Sequence, residues 1–62
     1  MNAANLELLL VAQMRLRHHP HANPGHLFEI ERAIDEIQGG DTNTHTDCVL
    51  RWCAAYLGEV AA

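Results

Sequence analysis

The chain is expected to be all-α: a small three-helix bundle with helices over about 3–18, 24–38 and 45–60. Three observations support this. Apolar residues recur at helical spacing in three segments, and two breaks rich in Pro, Gly and Asn separate them. No alternating stretch is long enough for a strand, and there is no internal repeat or low-complexity tail. A length of 62 residues allows one domain, 1–62, because a chain this short buries only about 60% of the surface its unfolded form exposes. Such a core seldom yields more than roughly 3–5 kcal/mol, so support from a disulfide, a metal or a second subunit is expected.

The first helix takes its N-cap from Asn2 or Asn5, whose side-chain oxygen can accept an otherwise unpaired N–H of the first turn. Arg15, Arg17, His18 and His19 suit its C-terminal turn, where the helix dipole is negative, and Pro20 ends it. At 100° per residue this helix carries two apolar stripes. Leu8, Leu9, Ala12 and Leu16 form one; Leu6, Leu10 and Met14 form the other, with Val11 on the far side. A helix that is apolar nearly all round needs partners on more than one face. The second stripe is therefore expected to be a homodimer seam of Leu6, Leu10 and Met14 that completes the bundle.

Asn23-Pro24 opens the second helix, since the residue before proline is pushed toward an extended conformation and proline suits the first helical position. Leu27, Ile30, Ala33, Ile34 and Ile37 share its apolar arc, charged residues cover the rest, and Gly39 is expected to supply the left-handed stop. Phe28 stands off that arc among charges. After the polar linker 39–43, Thr44-x-x-Asp47 resembles a weakened capping box for the third helix. Val49, Leu50, Trp52, Cys53, Tyr56, Leu57 and Val60 form a wide apolar arc on that helix.

The formal net charge is −4 and lysine is absent, which counts against a nucleic-acid binder, since that function rests on neutralising several phosphates. A helix-turn-helix reading of the second and third helices meets the same objection. Asp47 would face the backbone charge that a recognition helix should neutralise. Glu7 stands where a signal peptide would carry positive charge, and the longest apolar run, Leu8 to Ala12, is far short of the ~20 residues that span a bilayer. A cytoplasmic protein with reduced thiols is expected. Cys48 and Cys53 lie five residues apart on one helix and point in different directions, so they do not suit a disulfide.

The stretch from Arg15 to His26 holds four of the five histidines, and no acidic residue falls between Leu8 and Phe28. His18, His19, His21 and His26 supply enough imidazoles for a tetrahedral metal site, yet they share one loop and lack the paired spacing of structural zinc ligands. In an up-down-up bundle, His45 and Cys48 are expected at the opposite end from this loop. No metal or other cofactor is therefore assigned, and a metal- or pH-responsive loop over 18–26 stands as an alternative. His45 and Cys48 are a weak catalytic pair, because Asp47 opposes thiolate formation and no third group orients the imidazole; an enzyme is not expected.

What remains is a small acidic protein–protein interaction module of the inhibitor or adaptor kind. Its expected contact residues are His21, His26, Phe28, Trp52 and Tyr56, and its expected partner is a protein with acidic and apolar surface. Abundant Ala, Leu and Arg without Lys is the composition of a GC-rich bacterial or phage genome.

Overall fold

The computed structural model describes residues 3–61 and contains three helices in the order α1 (Ala3–Arg17), α2 (Pro24–Gly39) and α3 (Thr44–Ala61). Each helix packs on both others, and no strand occurs among the described residues. Fold class and helix positions agree with the sequence to within about one residue at each end.

The core is built from one face of each helix. Leu9, Ala12 and Leu16 of α1, Ile30, Ala33 and Ile37 of α2, and Val49 and Cys53 of α3 are buried together. Leu6, Leu8, Leu27, Ile34, Leu50 and Leu57 close around them. Leu6, placed by its spacing on the second stripe of α1, thus packs against the core on its inner side. Leu10 and Met14, one and two turns further on, remain 47% and 56% exposed. Val60, expected on the apolar arc of α3, lies outside the described side chains.

The helix ends correct three sequence expectations. α1 already begins at Ala3, so Asn5 sits inside its first turn and is not the cap; Asn2 lies outside the described residues. The left-handed residue after α2 is Gly40, with φ 76°, and Gly39 is the last helical residue. Gly40 N–H donates to Ile37 O at 3.2 Å and Asp41 N–H to Glu36 O at 2.8 Å, the pair of bonds that makes a Schellman stop. With two glycines adjacent, local propensity does not distinguish them.

The third correction concerns the start of α3. The capping box is Asn43-x-x-Thr46, one residue earlier than Thr44-x-x-Asp47. Asn43 Oδ1 accepts the N–H of His45 at 2.8 Å and of Thr46 at 3.3 Å, while Asn43 N–H donates to Thr46 Oγ1 at 3.0 Å. Asn is the stronger cap, and this register turns Thr46 inward, where it has no solvent exposure, and leaves Asp47 exposed. The start of α2 is as expected: Asn23 is extended and its Oδ1 accepts Gly25 N–H at 2.8 Å, with Pro24 at the first helical position.

Candidate functional site

The α1–α2 loop, the head of α2 and one side of α3 enclose a shallow furrow. At one end, Met14, Arg15, His18, His19, Pro20 and Tyr56 line a depression. A second depression shares His19 and Tyr56 with it and adds His21, Ala22, His26 and Trp52. A third, of about 220 Å³, shares His26 and Trp52 with the second and is completed by Glu29, His45, Cys48 and Val49. The three therefore run into one another, and all five histidines lie along them. Glu29 is the one carboxylate among these lining residues, although the chain as a whole is acidic.

An aromatic ladder forms the centre of the furrow. Trp52 and Tyr56, one turn apart on α3, stack with ring centroids 6.0 Å apart and planes 9° from parallel. The His26 ring lies on Trp52 at 4.7 Å. Both large rings are half-buried, so each presents an edge or face to solvent while its body rests on the core. His21, His26, Trp52 and Tyr56 thus line one furrow. Phe28 is not among them. It stands nearly opposite Ile30, Ala33 and Ile37 on the helical wheel and is 62% exposed, on the outer face of α2.

The histidine loop lies beside Tyr56 near the end of α3, and the head of α3 lies by the Gly39-Gly40 turn, as expected, yet His26, His45 and Cys48 line one depression between them. α2 and α3 run antiparallel, and long side chains span the remaining distance along the groove: His26 reaches Trp52, and Glu29 reaches His45.

At this end of the furrow lies a polar cluster that the sequence reading left among the solvated charges of α2. His45 Nδ1 lies 2.8 Å from Glu36 Oε1, and Nε2 contacts Glu29 Oε2. Glu36 also accepts from Thr46 Oγ1 at 2.8 Å and from Asn43 Nδ2 at 3.3 Å, and Arg32 Nε stands 3.6 Å away. Hydrogen bonding by His45, helped by Thr46 and Asn43, holds the Glu36 carboxyl down at about 2 against the opposing effect of burial. The same bonds, from Glu36 first and Glu29 second, raise the His45 pKa above its ordinary value of 6.5. One sequence signal for this cluster existed. Glu29, Arg32 and Glu36 fall on one side of α2 beside its apolar arc, facing the one histidine outside the loop.

Both ring nitrogens of His45 are thus committed to carboxylates of α2 rather than to Cys48, which is exposed. Cys53 is buried in the core, and desolvation pushes its thiol up to about 11. Among the described residues, no group of three or more His, Cys, Asp or Glu side chains is arranged to hold a metal ion. Within the same residues no helix is long and apolar enough to cross a membrane.

Comparison of the chain with protein-family models, with curated proteins and with solved structures gives no match.

Proposed function

We propose that the chain is a small protein-binding module that captures a segment of another protein in the furrow, and so occludes or bridges a surface of that partner as an inhibitor or adaptor does. The observation that carries this reading is the stacked Trp52–Tyr56 pair with His26 upon it, lying open along the groove. Rigid rings bury a large area at little entropic cost, which is why Trp and Tyr anchor protein interfaces. The lining favours a partner segment with apolar anchors and carboxylates. Arg15 and the histidines offer donors, and Glu29 is already engaged by His45.

The test is affinity capture from the source cell followed by mass spectrometry, comparing the native chain with Trp52→Ala, Tyr56→Ala and Phe28→Ala, each shown to be folded by circular dichroism. A protein retained by the native chain and by Phe28→Ala, but lost with both furrow variants, is the expected result. A set of captured proteins indifferent to Trp52 and Tyr56 overturns the reading.

A second reading concerns assembly. Leu10 and Met14 lie one turn apart on the outer side of α1, an apolar pair that suits a homodimer seam with Leu6 at its edge. Light scattering at micromolar concentration tests it. A dimer that dissociates in Leu10→Glu/Met14→Glu supports the seam, and a monomeric native chain refutes it.

A further inference from the structure

His45 is placed between two carboxylates of the neighbouring helix, with Nδ1 at Glu36 and Nε2 at Glu29. Counting donors fixes its state. An ionised carboxylate only accepts, and a neutral imidazole carries one N–H and one lone pair, so a neutral ring satisfies one contact and turns a lone pair toward the other. Only imidazolium donates to both.

The two carboxylates are held unequally. The Glu36 side chain is 12% exposed and is fixed by Thr46, Asn43 and Arg32 as well as by His45. The Glu29 side chain is 44% exposed, and among the described residues His45 is its polar partner. When one contact has to break, the Glu29 contact is the less constrained, because water can replace His45 there and cannot easily do so at Glu36. Glu29 also forms part of the wall of the depression beneath His26 and Trp52.

We propose that His45 is a proton-operated latch between α2 and α3: the doubly protonated ring draws Glu29 onto α3 and narrows that end of the furrow, and loss of the Nε2 proton to solvent releases Glu29 and opens it. The Nδ1–H bond to Glu36 persists in both states and keeps the helices together. The charged groups acting on His45 are Glu36, Glu29 and Arg32, all on α2. Asp47 and Cys48 are its neighbours on α3, His26 lines the same depression, and α1 contributes the uncharged Asn5 beside Thr46. The two carboxylates set the release above the ordinary histidine range. Regulation of partner binding by this latch rests on the docking function proposed above; the latch itself does not.

Imidazole nitrogen NMR of the full ¹⁵N-labelled chain tests the latch without a partner. At about pH 6 both His45 nitrogens are expected to be protonated; with rising pH Nε2 loses its proton while Nδ1 keeps its own. Glu29→Gln, isosteric at a half-exposed position, is expected to lower the midpoint of that titration. A His45 ring already neutral at about pH 6, first deprotonation at Nδ1, or a midpoint unmoved by Glu29→Gln overturns the proposal. Repeating the affinity capture on both sides of the midpoint separates the two readings. A latch that titrates as described with nothing bound through Trp52 and Tyr56 defeats the docking function alone.

Discussion

Thr46→Val removes one hydroxyl and almost nothing else, which makes it the sharpest probe of how α2 and α3 are joined. The Thr46 side chain has no solvent exposure, donates to Glu36 Oε1 at 2.8 Å and accepts the Asn43 N–H at 3.0 Å. Valine matches its shape, so no cavity forms. A neutral hydrogen bond contributes about 0.5–1.5 kcal/mol and one to a charged group about 1.5–3 kcal/mol. Set against that is the gain from burying a methyl in place of a hydroxyl, about 0.8 kcal/mol. A net loss of roughly 1–4 kcal/mol is expected, against a total stability of roughly 3–5 kcal/mol for a core this small. At about 4–8 °C per kcal/mol, a loss of about 2 kcal/mol lowers Tm by about 8–16 °C. Thermal and urea unfolding followed by circular dichroism measure it. Thr46→Ser keeps the hydroxyl and loses a methyl, so it is expected to cost less. A Thr46→Val chain as stable as the native one, or a Thr46→Ser chain less stable than Thr46→Val, refutes the view that the hydroxyl joins the helices.

Other outcomes follow from the same geometry. Gly40→Ala forces a Cβ into the left-handed region and is expected to cost about 1–2 kcal/mol, whereas Gly39→Ala, with helical geometry and an ordinary 3.6 Å contact of its Cβ with Asp41 Oδ2, is expected to stabilise by up to about 1 kcal/mol; equal effects in chemical denaturation count against the assigned stop. The His45 contribution to stability is complete below its ordinary pKa of 6.5 and is lost as pH rises through its raised folded value. That of Glu36 is complete above 4.5 and is lost as pH falls toward about 2. Tm is therefore expected to be highest between these limits and to fall on the alkaline side in the native chain but not in His45→Gln; a Tm that rises above neutrality contradicts this. A thiol reagent applied near neutral pH is expected to modify Cys48 at once and Cys53 only at the rate of unfolding, so two equally fast cysteines would place Cys53 outside the core.

The sequence made the helices legible wherever a residue type acts alone. Asn23-Pro24 specifies a helix start whatever surrounds it, and the spacing of Leu27, Ile30, Ala33 and Ile37 specifies which face is buried. It failed where two neighbours offer the same local chemistry. Gly39 and Gly40 are identical in isolation, and Asn43 and Thr44 are both cap formers although Asn is the stronger, so a short pattern leaves adjacent candidates open. Part of the site was equally visible: Trp52 and Tyr56 stand one turn apart on any helical wheel, and Phe28 falls outside every apolar arc. The tilted contact of His26 with Trp52 and the bracketing of His45 by Glu29 and Glu36 depend on how α2 crosses α3. No local pattern carries that angle.

Glu36 has a part in ending one helix and beginning the next. Its backbone oxygen receives Asp41 N–H in the stop of α2, and its carboxylate receives Asn43 and Thr46 at the start of α3. The Gly-Gly-Asp-Thr-Asn connection therefore has the composition of a loose hinge and the wiring of a rigid corner. Added residues would separate two ends that one side chain must reach simultaneously. The segment from His18 to Asn23 is tied mainly by turns within itself, such as Ala22 N–H to His19 O at 3.2 Å. Lengthening of the chain, in an engineered insertion or over evolutionary time, is thus better accommodated in the histidine-rich loop than in the glycine-rich one.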